Sequence, residues 1–178
     1  GGDGNDSLYA SYGNNAIRGG AGTDTFWYGV STSVVLTGAS LQIGANLYDF
    51  TGVEAGTLFG NDSNNTIDFR EFPYGLTIEG HGGNDELYGG SGNDRILGDY
   101  VQRADIAGHD TLWGGAGNDT LVGDSEWDGG TGNDVLDGGD GNDSLYASYG
   151  NNAIRGGAGT DTFWYGVSTS VVLTGASL

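Results

Sequence analysis

Aspartates recur along this chain in the nine-residue pattern Gly-Gly-x-Gly-x-Asp-x-U-x, where U is a large apolar residue. Seven segments match every fixed position of the pattern: residues 1–9, 19–27, 89–97, 114–122, 129–137, 138–146 and 156–164. Carboxylate oxygens together with backbone carbonyl oxygens are the ligands that Ca²⁺ prefers in proteins. The pattern therefore predicts calcium binding.

Five further segments keep the spacing but depart from the pattern. Residues 80–88 have His81 in place of the second glycine, and residues 108–113 are the second half of a repeat. Residues 10–18, 60–68 and 147–155 carry asparagine at the sixth position, namely Asn15, Asn65 and Asn152. Because a neutral amide is a poorer ligand than a carboxylate, we expect the site between Asp134 and Asn152 to be weak.

Each repeat also specifies a piece of backbone. The first six residues predict a turn, in which glycines accept positive φ angles, and the last three predict a short strand with U pointing inward. Two nonapeptides then make one coil of roughly 18 residues, and successive coils stack as parallel strands. We predict an all-β parallel β-roll, or β-solenoid, with calcium in its turns. Its core residues would be Leu8, Ile17, Phe26, Leu87, Ile96, Leu112, Leu121, Leu136, Leu145, Ile154 and Phe163.

Folding of such a roll should depend on the metal. Two large apolar side chains in each coil stabilise it too little to offset the entropy of ordering the backbone of two nonapeptides. Stacked turns also bring carboxylates together, and two charges ~4 Å apart repel by about 4 kcal/mol at an effective dielectric constant of 20. A divalent cation between the turns converts this repulsion into attraction. Metal binding and folding are therefore expected to form one equilibrium.

The stacking order follows from the alternation of sides. On one side, called side one, we predict the series Asp85, Asp110, Asp134 and Asn152; on side two, Asp94, Asp119, Asp143 and Asp161. This register needs two lengthened turns on side one, residues 98–110 and 123–134. Both open with Gly-Asp, and Asp99 and Asp124 are expected to add ligands there.

A longer repeat surrounds the short one. Residues 1–41 are identical to residues 138–178, so residues 1–137 form one complete unit of the longer repeat. A near-identical natural tandem array and an engineered duplication both explain this identity. We predict repeat coils over 1–27, a calcium-poor continuation of the solenoid over 28–79, the main calcium roll over 80–164, and the next calcium-poor segment from 165 to 178. The missing initiator methionine indicates a segment of a longer protein.

Composition excludes several classes. Thirty-eight glycines with one proline exclude collagen, and the absence of cysteine excludes disulfides and thiolate metal sites. A net charge of −19 argues against nucleic-acid binding, which needs clustered basic residues. No apolar run approaches the ~20 residues that span a membrane. The two histidines occupy turn positions and form no catalytic pattern.

The repeats resemble those of the RTX family, secreted bacterial proteins with hemolysin-type calcium-binding nonapeptides. The resemblance covers residues 1–27 and 80–164. It implies that an earlier turn contributes the carbonyls of positions two and four with its aspartate, and a later turn those of positions one and three with its own. The implied aspartate ligands are Asp6, Asp24, Asp85, Asp94, Asp110, Asp119, Asp134, Asp143 and Asp161. The implied carbonyl ligands are Gly2, Gly4, Gly19, Ala21, Gly83, Gly90, Gly92, Gly108, Gly114, Gly115, Ala116, Gly117, Gly129, Thr131, Gly138, Gly139, Asp140, Gly141, Gly156 and Ala158.

We therefore expect a structural, non-enzymatic segment of a secreted or surface-exposed bacterial protein that holds several Ca²⁺ ions. It would build a long fibre, filament, adhesin or surface-layer-like assembly. The alternative is the calcium-binding module of a type I-secreted toxin, hydrolase or epimerase whose catalytic domain lies outside this chain. Self-association is expected through the solenoid ends, through an outward apolar stripe, or through both. The stripe comprises Leu97, Val122, Tyr146 and Trp164, the ninth positions of the side-two strands.

Overall fold

The computed structural model describes residues 1–10, 16–30, 33–99, 107–124, 130–164 and 170–174. Within these ranges the fold is all-β, and the chain forms twenty short strands and no helix. The strands are β1 (Gly2–Asp3), β2 (Ser7–Tyr9), β3 (Ala16–Arg18), β4 (Gly20–Ala21), β5 (Thr25–Gly29), β6 (Ser33–Thr37), β7 (Ser40–Ile43), β8 (Asn46–Thr51), β9 (Ala55–Asn61), β10 (Thr66–Asp68), β11 (Leu76–His81), β12 (Glu86–Tyr88), β13 (Arg95–Leu97), β14 (Thr111–Ala116), β15 (Thr120–Val122), β16 (Val135–Asp140), β17 (Ser144–Tyr146), β18 (Asn151–Ala158), β19 (Thr162–Trp164) and β20 (Ser170–Thr174). None of the described segments is a helix that could cross a membrane.

Most strands belong to two large sheets. The eight-stranded sheet has the order β19-β17-β15-β13-β11-β9-β5-β2, and all its neighbours are parallel. The ten-stranded sheet has the order β20-β18-β16-β14-β12-β10-β6-β7-β8-β3. From β9 onward, consecutive strands alternate between the two sheets, so each repeat contributes one strand to one sheet.

The U residues form the interior between these sheets. In the ten-stranded sheet Leu87 pairs with Leu112, Leu112 with Leu136, and Leu136 with Ile154. The U residues of the eight-stranded sheet pair in the same way from Ile96 to Phe163. Of the predicted core residues, nine are buried, whereas Leu8 and Phe163 are partly buried and pack against the cluster. The period-two alternation of the x-U-x triplet therefore predicted which side chain points inward.

Residues 33–51 contain the one departure from parallel pairing among the described strands. Strand β7 pairs antiparallel with both β6 and β8. Two-residue Gly-Ala loops join these strands, and their glycines, Gly38 and Gly44, have φ angles of 55° and 57°. Glycine adopts such angles without strain, which permits a tight hairpin. The antiparallel meander was not predicted, although a Gly-x loop between apolar strands is a recognised hairpin signal.

An aromatic cluster thickens the core beside this meander. Phe26 lies 5.1 Å from Phe50 between ring centroids, and Phe50 in turn contacts Phe69 and Phe72. All four rings are buried. Apolar packing therefore contributes more around this aromatic cluster than in the repeats, where most strands bury a single large side chain.

The predicted apolar stripe is only partly exposed, and this is a correction. Leu97 is buried, with 5% of its surface accessible, whereas Trp164 is 56% exposed. Leu97 lies on the central strand β13, where Glu79 and Val122 flank it in register on both sides. Trp164 lies on the edge strand β19, and among the described strands its one cross-strand neighbour is Tyr146. Cross-strand neighbours cover the middle of the stripe, so its exposed part lies toward the edge.

Candidate calcium sites between stacked turns

The sixth-position aspartates lie above one another in two series. On side two, the amides of Asp94 and Asp119 donate hydrogen bonds of 2.8 Å to the Oδ1 atoms of Asp119 and Asp143, respectively, and the Asp143 amide donates one of 3.1 Å to Asp161. These steps span 25, 24 and 18 residues. The structure thus brings the side-two residues together in the predicted order.

Side one repeats the arrangement. The amides of Asp85, Asp110 and Asp134 donate to the Oδ1 atoms of Asp110, Asp134 and Asn152, at 2.8, 3.0 and 2.7 Å. The predicted order holds here also, and again only the last step has 18 residues. The two long turns therefore lengthen the first two coils without disturbing the stacking of the aspartates.

The second oxygen of most of these carboxylates has no hydrogen-bond donor. These buried Oδ2 atoms belong to Asp6, Asp24, Asp85, Asp110, Asp119, Asp134 and Asp143. Burial, together with the charges of nearby carboxylates, raises the pKa of Asp110 to about 9 and the pKa of Asp119 to about 7. Burying an anionic oxygen without a partner costs free energy, so a cation bound at these atoms would stabilise the folded chain.

Carbonyl oxygens converge on the same atoms. A methyl group built on Gly114 would collide with Asp119 Oδ2 and with the carbonyl oxygen of Gly138, 2.5 Å away. Gly138 has the same surroundings, made by Asp143 Oδ2 and the carbonyl of Gly156. The first-position glycine therefore leaves a space bounded by one carboxylate oxygen and one carbonyl oxygen of the next turn. Carboxylate and carbonyl oxygens are suitable ligands for Ca²⁺, the ion that the sequence pattern predicts.

The structure adds two glycines that the sequence analysis missed. On side one, Gly98 lies beside Asp110 Oδ2 and 2.6 Å from the carbonyl oxygen of Gly123, measured from its built methyl group. Gly98 and Gly123 therefore take the first position in the two long turns, a role assigned to Gly129 in the second of them. Gly129 itself lies outside the described residues. The signal was present, because both long turns open with the same Gly-Asp pair.

Several other predicted carbonyl ligands connect adjacent turns by hydrogen bonds. The carbonyls of Gly90, Asp140 and Ala158 accept the amides of Ala116, Gly117 and Gly141, at 3.0, 2.8 and 2.7 Å. Each carbonyl oxygen has two lone pairs, so one remains for a metal. The remaining carbonyls keep their predicted roles as a hypothesis.

A second ladder runs through the fifth position, which the sequence pattern treats as variable. On side two, the Oδ1 atoms of Asn93, Asn118 and Asn142 accept the amide of the next fifth residue at 2.8 Å. On side one, the same ladder contains His109, whose Nδ1 accepts the amide of Asn133 at 2.9 Å. The repeated Gly-Asn-Asp triplet was the signal for this ladder, which aligns successive turns.

Asparagine at the sixth position changes the site. Asn152 Oδ1 accepts the Asp134 amide, and Nδ2 donates to the carbonyls of Ala147 and Tyr149 at 2.6 and 3.2 Å. An amide nitrogen therefore stands where the aspartate turns present an unpartnered oxygen. Because a hydrogen-bond donor cannot coordinate a cation, this geometry supports the expectation of a weak site beside Asn152.

The sites differ from a metal centre built of side chains. Across the described ranges, no three His, Cys, Asp or Glu side chains are grouped as a metal cluster. Each implied site instead has two aspartates and takes its other ligands from the backbone, which is common for Ca²⁺.

Comparison with known proteins agrees with this geometry. The family model of the RTX calcium-binding nonapeptide repeat matches this chain in four copies, over residues 1–30, 77–99, 107–126 and 128–163. No curated protein matches the chain. The four matches cover more than half of the sequence, and the stacked aspartates lie within them. The chain therefore belongs to the RTX calcium-binding nonapeptide repeat family.

Proposed function

We propose that this chain is a parallel β-roll that folds on binding several Ca²⁺ ions between its stacked turns. One observation carries the proposal: buried Oδ2 atoms lie beside the carbonyl of the next first-position glycine and have no hydrogen-bond donor. The ligands would be the aspartates and carbonyls implied by the family, with Gly98 and Gly123 added on side one. Ca²⁺ would neutralise the carboxylates and join adjacent turns.

The role would be structural rather than catalytic. The identity of residues 1–41 and 138–178 suits a tandem array, whose function is length, stiffness and valency. We therefore infer a calcium-dependent fibre, filament or adhesin segment of a secreted or surface-exposed protein.

Edge strands support self-association of this segment. Strands β19 and β20 end the two sheets at one side, and β2 and β3 end them at the other. Such edges present unpaired amides and carbonyls that can pair with another copy. The large exposed side chains Tyr9 (75%) and Trp164 (56%) lie on these edge strands. The contact surface would therefore be the two ends, and not the predicted stripe around Leu97.

Circular dichroism tests calcium-dependent folding. We expect a disordered spectrum in chelator and a β-sheet spectrum after addition of Ca²⁺ at about 10⁻⁴–10⁻³ M, the range of extracellular calcium modules. Mg²⁺ should substitute poorly, because it demands a tighter octahedral geometry. A chain that keeps its full β signal in chelator would contradict the proposal.

Light scattering tests the assembly role separately. We expect the mean mass to rise with protein concentration in millimolar Ca²⁺ and to remain that of a monomer in chelator. A folded chain that stays monomeric at high concentration with calcium would remove the fibre role while leaving calcium binding intact.

A further inference from the structure

The two long turns on side one place an aspartate where the side-two turns have glycine. Gly115, Gly139 and Gly157 occupy the second position on side two, with φ angles between 106° and 109°. Asp99 and Asp124 occupy it in the long turns. Both side chains are inside the protein: Asp99 is 7% exposed, and Asp124 is fully buried.

One oxygen of each carboxylate closes its own turn. Asp99 Oδ2 accepts the amide of Gly108 at 2.7 Å, and Asp124 Oδ2 accepts the amide of Gly132 at 3.0 Å. The two turns share this bond although their inserted residues differ in sequence. This hydrogen bond joins the second position of the turn to the fourth across the insertion. It uses one of the two oxygens of each carboxylate.

The other oxygen of each carboxylate, Oδ1, is buried and has no hydrogen-bond partner. Burial raises the pKa of the Asp99 carboxyl, and its interaction with the Asp124 carboxyl contributes in the same direction, so the two groups are neighbours. The built methyl position on Gly132 lies 2.9 Å from Asp124 Oδ1 and 2.8 Å from Asp134 Oδ1, with the carbonyl oxygen of Gly108 also adjacent. Oxygens from both long turns therefore converge in the interior of side one.

We propose that Asp99 and Asp124 together bind a divalent cation, Ca²⁺, in addition to the ions held by the nonapeptide turns. Their two Oδ1 atoms would be its anionic ligands, and neighbouring carbonyl oxygens would supply the rest. The inference rests on the proposed calcium-dependent fold. Two neighbouring buried carboxylates repel when both are ionised, and a shared cation converts that repulsion into attraction.

Asparagine substitution separates metal binding from turn closure. In the double variant Asp99→Asn/Asp124→Asn, each amide keeps an oxygen that can accept the glycine amide, but the charged pair of Oδ1 atoms is lost. The matched control is Asp3→Asn/Glu86→Gln, which removes the same charge from two exposed side chains outside the proposed sites. Each protein is titrated with Ca²⁺ by isothermal calorimetry, the bound ions are counted by equilibrium dialysis, and folding is followed by circular dichroism.

We expect the double variant to bind one ion fewer than the control, and to need roughly tenfold or more additional calcium to fold. The single variants should each weaken binding in the same direction. If Asp99 and Asp124 only close their turns, the ion count and the calcium midpoint will equal those of the control, and the inference is wrong. A wild-type chain that binds no calcium would instead overturn the proposed function itself, so the two failures are distinguishable.

Discussion

The duplicated segment, residues 1–41 and 138–178, places one sequence in two environments. Leu145, on β17, has strands on both sides and is fully buried, whereas its copy Leu8 lies on the edge strand β2 and is only partly buried. The order reverses further along: Phe26, on β5, is fully buried, and its copy Phe163, on the edge strand β19, is not. Burial in this fold is therefore set by the number of flanking strands and not by the repeat itself.

Pairing differs between the copies as well. Strand β6 pairs in parallel with β10 and antiparallel with β7, while its copy β20 pairs in parallel with β18. Consequently Ile154 lies opposite Leu173, but Ile17 lies opposite Phe50 of the meander. The sequence of β8 lies outside the duplicated segment. The same strand sequence thus takes whichever neighbour the surrounding chain presents.

Local contacts within one coil step persist in both copies. Tyr9 stacks on Trp27 with ring centroids 6.3 Å apart, and Tyr146 stacks on Trp164 at 5.9 Å. In both copies the sixth-position amide donates to the Oδ1 of the next aspartate on its side, Asp6 to Asp24 and Asp143 to Asp161. The repeat sequence therefore specifies the contacts between adjacent turns, but it does not specify the contacts with strands outside the duplicated segment.

Among the changes considered, acidification in the absence of calcium should have the largest effect on the stability of the folded chain. Burial raises the pKa of the interior aspartates Asp85, Asp119 and Asp134 to about 7, above the ~3.9 of an unfolded chain. The metal-free folded state therefore binds more protons, and its stability is greatest below pH ~4 and declines as the pH rises to about 7.

We expect a chelated sample to show more β signal by circular dichroism at pH 4 than at pH 8. With Ca²⁺ present the order should reverse, because protons compete with the metal for the carboxylates. A chelated chain that becomes less structured on acidification would show that these aspartates are not buried.

The second-largest effect is expected from truncating the duplicated phenylalanine, which is Phe26 in the first copy and Phe163 in the second. Phe26→Ala removes a fully buried ring that contacts Phe50 and Tyr28, and should lower the free energy of unfolding by about 3–5 kcal/mol in Ca²⁺. Phe163→Ala should cost clearly less, because its ring is partly exposed. Urea unfolding of both variants measures the difference, and equal losses would mean that the two copies have equal surroundings.

The duplicated aspartate gives a smaller contrast, in calcium affinity. Asp143 is buried and lies between Asp119 and Asp161, whereas within the described ranges Asp6 has a stacked partner only at Asp24. Asp143→Asn should therefore raise the calcium midpoint of folding more than Asp6→Asn, by roughly tenfold, or about 1.4 kcal/mol. If both substitutions shift the calcium titration equally, the stacked register does not govern affinity.

The duplicated arginine should give the smallest effect. Arg18 forms an ion pair with Asp49 at 2.5 Å, and Arg155 forms one with Asp137 at 3.0 Å. Both guanidinium groups are exposed, so Arg18→Gln and Arg155→Gln should each change the unfolding free energy by at most ~1 kcal/mol. Thermal melts in low and high salt would detect a larger contribution, which would contradict the assignment of both pairs to the surface.

The nine-residue pattern by itself determined the all-β class, the inward direction of the U residues and the order of the stacked aspartates. It could do so because turn, strand and metal ligand lie within a few residues of one another, where glycine conformation and side-chain alternation decide the structure. The Gly-Asp openings of the long turns likewise marked residues 98–110 and 123–134 as insertions, although their first-position glycines, Gly98 and Gly123, were recognised only in the structure.

Tertiary structure decided what depends on distant neighbours. It covered Leu97 with the adjacent strands, inserted the antiparallel meander between β6 and β3, and gave Ile17 and Ile154 different partners. It also brought together the carboxyl groups of Asp99 and Asp124, which belong to two separate turns of the chain. These outcomes follow from which strands and turns become adjacent in three dimensions, and a local repeat contains no information about that choice because its copies are identical.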